Sequence, residues 1–123
     1  MSDEKKKVLI IEDEKPMAHA LELKLQHEGF EAQSALNGED GLNLLATNSF
    51  DLILCDLMMP KLDGFGVLSA MKDRNIVTPI IILSNLSQEE DEKKALAMGA
   101  REFFVKSNTP IMRIVEYAKE ILR

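Results

Sequence analysis

Apolar residues in this chain gather in short dense runs, set apart by longer stretches of mixed character. The runs are KVLIIED (7–13), FEAQSA (30–35), DLILCD (51–56), PIIILS (79–84) and EFFVK (102–106), and each reads as a strand. Between them the apolar spacing changes to that of a helix. A first helix is expected from Pro16 to Glu28, with Pro16 in its opening turn and Met17, Leu21 and Leu25 along one stripe. GEDGLNLLATN places Leu42, Leu45 and Ala46, and GFGVLSAMKDR places Val67, Ala70 and Met71, at the i, i+3, i+4 spacing of short amphipathic crossovers. A fourth helix is announced by a possible capping box of Ser87 and Glu90. Acidic residues at 89–92 suit its positive end, and Gly99 suits its stop. Thr109-Pro110 opens a last helix whose Ile111, Ile114, Val115, Ala118 and Leu122 face inward.

Strands alternating with helices imply right-handed crossovers and a parallel sheet covered on both faces. The expected fold is therefore α/β with five βα units and no linker, repeat or low-complexity segment. A length of 123 residues is enough for one domain with a continuous core. The net charge of −6 repels phosphate backbones and anionic lipid, which argues against a nucleic-acid or membrane partner for this domain by itself. Cys55 is the one cysteine; inside an apolar run it reads as a small buried hydrophobe, consistent with a reducing cytosol. The opening MSDEKKK is followed by only VLII before EDE interrupts, too little for a signal-peptide core, and no stretch approaches a membrane span. A cytoplasmic protein without membrane insertion is expected.

DLILCD poses a chemical question, because an apolar run bound for the interior ends in a carboxylate. An unpaired buried carboxylate is expensive. In an open parallel sheet, ligands bind beyond the carboxyl ends of the strands, and here those ends are polar throughout. VLII is followed by Glu12-Asp13, LILC by Asp56, IIIL by Ser84 and FFV by Lys106. Singly, each reads as a helix cap or a solvated loop residue. Together they mean something else. Three carboxylates at one edge raise one another's pKa unless a cation joins them, and a hard divalent ion takes carboxylates, waters and phosphate oxygens. Magnesium is the expected occupant. A metal-bound aspartate can act as a nucleophile toward a phosphoryl group, with the Ser84 hydroxyl donating to one phosphoryl oxygen and the Lys106 ammonium pairing with another. His19 and His27 lie eight apart on the first helix with no further ligands nearby and read as surface residues.

Over nearly its whole length the chain resembles the receiver domain of bacterial two-component response regulators, of the single-domain, chemotaxis-regulator-like kind. The resemblance rests on Glu12-Asp13 after strand one, DLILCDLMMPKLDG around strand three, Ser84 after strand four, and GAREFFVK leading to Lys106. It implies a flavodoxin-like (βα)5 fold over residues 1–123, with strand order 2-1-3-4-5. By the same resemblance, Asp56 accepts a phosphoryl group from a phosphohistidine on a sensor histidine kinase or a histidine phosphotransfer protein. Asp13, Asp56 and the Met58 backbone carbonyl would ligate magnesium, with Glu12 acting through water. Pro60 and Gly64 would shape the loop beyond the acceptor. Ser84 and Phe103 match the family's switch pair, in which the hydroxyl moves to the phosphate and the ring turns inward. The bland reading of Phe103, as of Phe104, is core packing on a strand.

Three departures from the family pattern stand out. Ser107 follows Lys106 where the family commonly has a proline with a cis bond, so a trans loop is expected. Asn85 is larger than the usual residue after Ser84 and would narrow the path for small phosphodonors. Met58 and Leu86 occupy positions that tune water's approach to the acyl phosphate, and neither side chain orients water, which implies a long-lived phosphorylated state. With no effector domain in the sequence, output is expected to pass through the fourth helix, fifth strand and fifth helix to a downstream protein. Met112 and Tyr117 lie off the apolar stripe there as candidate contacts. The competing readings are the receiver of a larger DNA-binding or enzymatic regulator, an aspartyl-nucleophile phosphohydrolase, a nucleotide- or flavin-binding domain, and a receiver used as a scaffold. A haloacid-dehalogenase-type phosphohydrolase needs a second acid where Met58 stands, and EDEKPM offers carboxylates where a nucleotide-binding loop needs glycine or hydroxyls.

Overall fold

The computed structural model describes residues 5–85 and 88–122. All five expected strands form: β1 (Lys7–Ile11), β2 (Glu31–Ala35), β3 (Leu52–Asp56), β4 (Ile80–Ser84) and β5 (Glu102–Val105). They make one parallel sheet in the order β2-β1-β3-β4-β5. Five helices alternate with them: α1 (Lys15–His27), α2 (Gly38–Thr47), α3 (Gly64–Asp73), α4 (Glu89–Ala97) and α5 (Ile111–Ile121). A single 3-10 turn (Lys106–Asn108) precedes the last helix.

The central runs lack polar alternation because both faces of the sheet are covered there. Every residue of β3 and β4 is buried, whereas β2, at the edge, alternates. On one face Val8, Ile10, Leu52, Leu54, Ile81 and Leu83 pack against Leu21 and Leu25 of α1 and Ile114 and Val115 of α5. On the other, Leu9, Ile11, Ile53, Cys55, Ile82 and Phe103 meet Leu42 of α2, Val67, Leu68 and Met71 of α3 and Ala95 of α4. Cys55 is buried, as its place in an apolar run implied. Phe103 and Phe104 consequently point to opposite faces: Phe103 is buried and Phe104 is half-buried.

Some helix faces differ from the expected ones. Lys15 precedes Pro16 in the first turn of α1. On α2 the buried positions are Gly38, Gly41 and Leu42, while Ala46 is exposed. A Cβ on Gly41 would stand 2.5 Å from Ile11 Cδ1, so α2 is drawn to the sheet on its glycine side and Ala46 rolls outward. On α3 Leu68 is buried and Ala70 only half-buried. Tyr117 is not off the packed surface of α5: its ring meets Phe104 edge-on, at 5.4 Å between centroids and 87° between planes. Met112, by contrast, is 40% exposed. Ser87 and Leu86 lie outside the described residues; Gln88 is the N-cap of α4 and makes no side-chain capping bond. Gly99, at φ +110°, takes the left-handed conformation that ends this helix cheaply. No peptide bond among the described residues is cis, and the chain runs trans through Lys106 and Ser107.

Candidate functional site

Strand register assembles the polar ends. Ile11 is level with Cys55, so Glu12 and Asp56, one residue on, emerge side by side. Asp56 is in turn level with Leu83, and Ser84 with Val105, which brings Ser84 and Lys106 to the same edge. Glu12 and Ser84 are fully buried, and Asp56 is 3% exposed. Asp13 is exposed, yet one oxygen from each of Glu12, Asp13 and Asp56 falls within 4.8 Å of the others. It is the sole such grouping of metal-ligating side chains among the described residues; His19 and His27 are exposed on α1 and take no part.

Lys106 closes the pocket. Its Nζ donates to Glu12 Oε1 at 2.6 Å and lies 3.2 Å from Asp56 Oδ1 and 3.6 Å from Glu14 Oε1. Asp56 Oδ1 also accepts from the Leu57 N–H at 3.0 Å, and Glu12 Oε2 accepts from the Glu14 N–H at 3.1 Å. Burial, and then the charge of Glu12, push the Asp56 carboxyl up to about 7, against the opposing pull of Lys106. For Lys106, burial works to lower the pKa, but hydrogen bonding to Glu12 and the charge of Asp56 outweigh it and raise the value. One buried ammonium does not fully neutralise this acid cluster. The hard oxygen donors and the residual negative charge fit a small divalent cation, with the exposed Asp13 completing the set.

The loop after β3 folds back tightly onto the site. Gly64 N–H donates to Leu57 O at 2.7 Å, and a Cβ at Gly64 would sit 2.9 Å from the Asp56 carbonyl oxygen. Glycine is required there by space alone. Asp63 then caps α3 through the Gly66 N–H at 2.8 Å, Pro60 is exposed, and Met58 projects its side chain with 60% exposure. Phe103 is buried on the α4 side of β5, and Asn85 is exposed beside Lys106 and Ser107. Sequence reasoning missed Glu14 as a partner of Lys106. Its signal was the third acid of the Glu12-Asp13-Glu14 run.

A family model of the response regulator receiver domain matches residues 8–118. The chain belongs to the response regulator receiver family. It is 37% identical over 100 residues to the transcriptional regulatory protein DltR of Streptococcus agalactiae, covering 81% of this chain and 45% of that protein. The receiver domain of a Francisella response regulator superposes with a TM-score of 0.89 at 33% identity, covering 94% and 95% of the two chains. The response regulator TrrA of Thermotoga maritima, solved in complex with Mg(2+)-BeF, gives 0.82 at 29% identity, covering 94% and 98%. The chain thus spans less than half the length of DltR. Receiver domains act as signalling switches rather than as enzymes, bind magnesium in an acidic pocket and work with histidine kinases. This receiver has an acidic cluster of Glu12, Asp13 and Asp56. No helix of the described residues is long and apolar enough to cross a membrane.

Proposed function

We propose that residues 1–123 act as one phosphorylation-controlled switch in which Asp56 is the phosphoryl acceptor. The observation that carries this reading is the buried Lys106 ammonium between Glu12 and Asp56, with Asp13 at the rim. That arrangement is suited to the anionic oxygens of an incoming phosphoryl group. Asp13, Asp56 and the Met58 backbone carbonyl would hold magnesium, with Glu12 reaching it through water. The TrrA complex supports such a site by analogy. When bound, the ion supplies charge neutralisation and alignment for phosphoryl oxygens.

In this reading the donor is a phosphohistidine on a sensor kinase or phosphotransfer protein. An Asp56 carboxylate oxygen forms a bond to phosphorus as the P–N bond of the donor breaks, and the imidazole leaves with its bonding pair. Lys106 pairs with a phosphoryl oxygen, and Ser84 donates its hydroxyl to another. Movement of Ser84 toward the phosphate biases Phe103 and, through it, the surface of α4, β5 and α5 that a downstream protein reads. Burial of Phe103 in the present structure supports a ring that already has an inward place to occupy. A cytoplasmic setting and no direct nucleic-acid contact by this domain complete the proposal. A second reading, favoured by the partial coverage of DltR, is that the domain serves a larger DNA-binding regulator and passes its signal to an attached effector.

Incubation with magnesium and a small acyl phosphate, followed by intact mass measurement, tests the acceptor. A phosphoryl-sized gain in wild type and none in Asp56→Asn supports it; no gain with any donor, kinase phosphohistidine included, refutes it. The exposed thioether of Met58 cannot orient water, so the phosphorylated state is expected to be long-lived. Met58→Asn should shorten its lifetime, and hydrolysis within seconds in the wild type would contradict the expectation.

A further inference from the structure

Lys106 has one partner more than the phosphoryl-acceptor reading requires. Glu12 and Asp56 meet its ammonium inside the pocket, and on the outer side Glu14 Oε1 stands 3.6 Å away. The setting of Glu14 differs from that of the other two acids. It is the N-cap residue of α1, yet its side chain makes no capping bond and is 59% open to solvent. Its backbone N–H is held by Glu12 Oε2 at 3.1 Å, which fixes the residue at the rim. Next to it Pro16, Met17, Asn85 and Ser107 line a shallow depression of about 550 Å³ that runs up to Lys106. A carboxylate with no capping role, standing beside this depression and 3.6 Å from the Lys106 ammonium, acts electrically on any anion that comes to that lysine.

We propose that Glu14 is a charge filter for phosphodonors: it disfavours small anionic donors and favours those that carry a cation beside the transferable phosphoryl group. The inference rests on the phosphoryl-acceptor reading and specifies the chemistry of its donor. Two effects act together. Glu14 repels an approaching anion, and it competes with the donor's phosphoryl oxygens for the Lys106 ammonium. A donor with a protonated nitrogen on phosphorus brings its own positive charge to face Glu14 and escapes most of the repulsion. Transfer from acetyl phosphate forms the Asp56 oxygen–phosphorus bond while the donor's P–O bond breaks and acetate leaves with the bonding pair. From phosphoramidate the P–N bond breaks and ammonia leaves, keeping the protons its nitrogen already held.

The test compares initial rates of phosphorylation by acetyl phosphate and by phosphoramidate, read as intact mass with magnesium present, at low and high salt. Wild type, Glu14→Gln, Glu14→Asp and Glu120→Gln are measured side by side. Glu120, exposed on the last turn of α5, changes net charge equally without touching the site. Using the ratio of the two donors' rates cancels any change in magnesium affinity. Glu14→Gln is expected to raise the acetyl phosphate rate about threefold or more at low salt relative to the phosphoramidate rate, with the gain fading at high salt. Glu14→Asp and Glu120→Gln should keep the wild-type ratio. An unchanged ratio in Glu14→Gln, or the same change in Glu120→Gln, overturns the filter while leaving Asp56 as acceptor. Failure of the wild type to gain a phosphoryl group from either donor overturns the acceptor reading and the filter with it.

Discussion

The α1–α5 side of the sheet and helix α4 are held to the molecule in very different ways. On the first, Ala18, Leu21 and Leu25 of α1 and Ile114, Val115 and Ala118 of α5 are buried against β1, β3 and β4. Lys119 Nζ adds a 2.8 Å bond from α5 to Glu28 at the end of α1, and Phe104 locks edge-on with Tyr117. Helix α4 has one buried residue, Ala95, and an acidic first turn in which Glu89, Glu90 and Glu92 are exposed and Asp91 is half-buried. Its lateral tie is the Lys94 ammonium, 4.2 Å from the centre of the Phe65 ring on α3. One side of this receiver is a frame, and the other carries a panel on a small hinge of contacts. Since local opening follows the amount of buried apolar contact, α4 is the element with least to lose on shifting. It also shares a hydrophobic cluster with Phe103 of β5.

Truncation separates the two most sharply. Leu21→Ala or Ile114→Ala, each emptying a fully buried site in the frame, should lower the unfolding free energy in urea by about 3 kcal/mol. Ala95→Gly should cost only about 1 kcal/mol, through backbone entropy more than through packing. Equal losses at the two sites would erase the distinction.

Between frame and panel lies the acid pocket, and its stability depends on pH. Because Asp56 holds its proton up to about 7 when folded, against 3.8 as its ordinary value, the native state binds that proton more tightly than the unfolded chain does. Metal-free protein should therefore lose stability as pH rises from about 4 through about 7, with Asp56→Asn showing no such slope. At pH 8 in a chelator Asp56→Asn should be the more stable protein, by about 1–2 kcal/mol after allowance for Lys106. Thermal melts of both proteins across this range measure the difference; a parallel pair of curves would show that Lys106 already compensates Asp56 fully.

The smallest effect is the most local. Lys94→Met should remove the tie to Phe65 at a global loss of about 0.5 kcal/mol. Amide exchange should then quicken through α4 while α1 and α5 keep wild-type protection. Uniform acceleration in all three helices would mean that α4 opens only with the whole fold.

Much of this could be read in advance where the information is local. All strands but the edge strand β2 appear in runs of consecutive apolar residues, and parallel-sheet geometry sends the residue after each run to one edge, which is why Glu12, Asp56, Ser84 and Lys106 lie together. Helix faces were less legible. Ala46 fits the expected stripe of α2, but the approach of Gly41 to Ile11 sets the roll of that helix, and such tight contact is invisible in a one-helix pattern. Tyr117 looked peripheral for the same reason: its partner, Phe104, belongs to a strand. Glu14 was overlooked because an acid at a helix start is commonplace, and only the folded path of Lys106 gives it a cation to face.

The bond from Lys106 to Glu12 joins residues 94 positions apart. A ribosome extending this chain makes Asp56, the proposed acceptor, long before it has made the lysine that meets it in the pocket. Until β5 has emerged and docked, the nascent polypeptide owns these carboxylates without their ammonium partner, so the pocket itself arrives only with the finished fold.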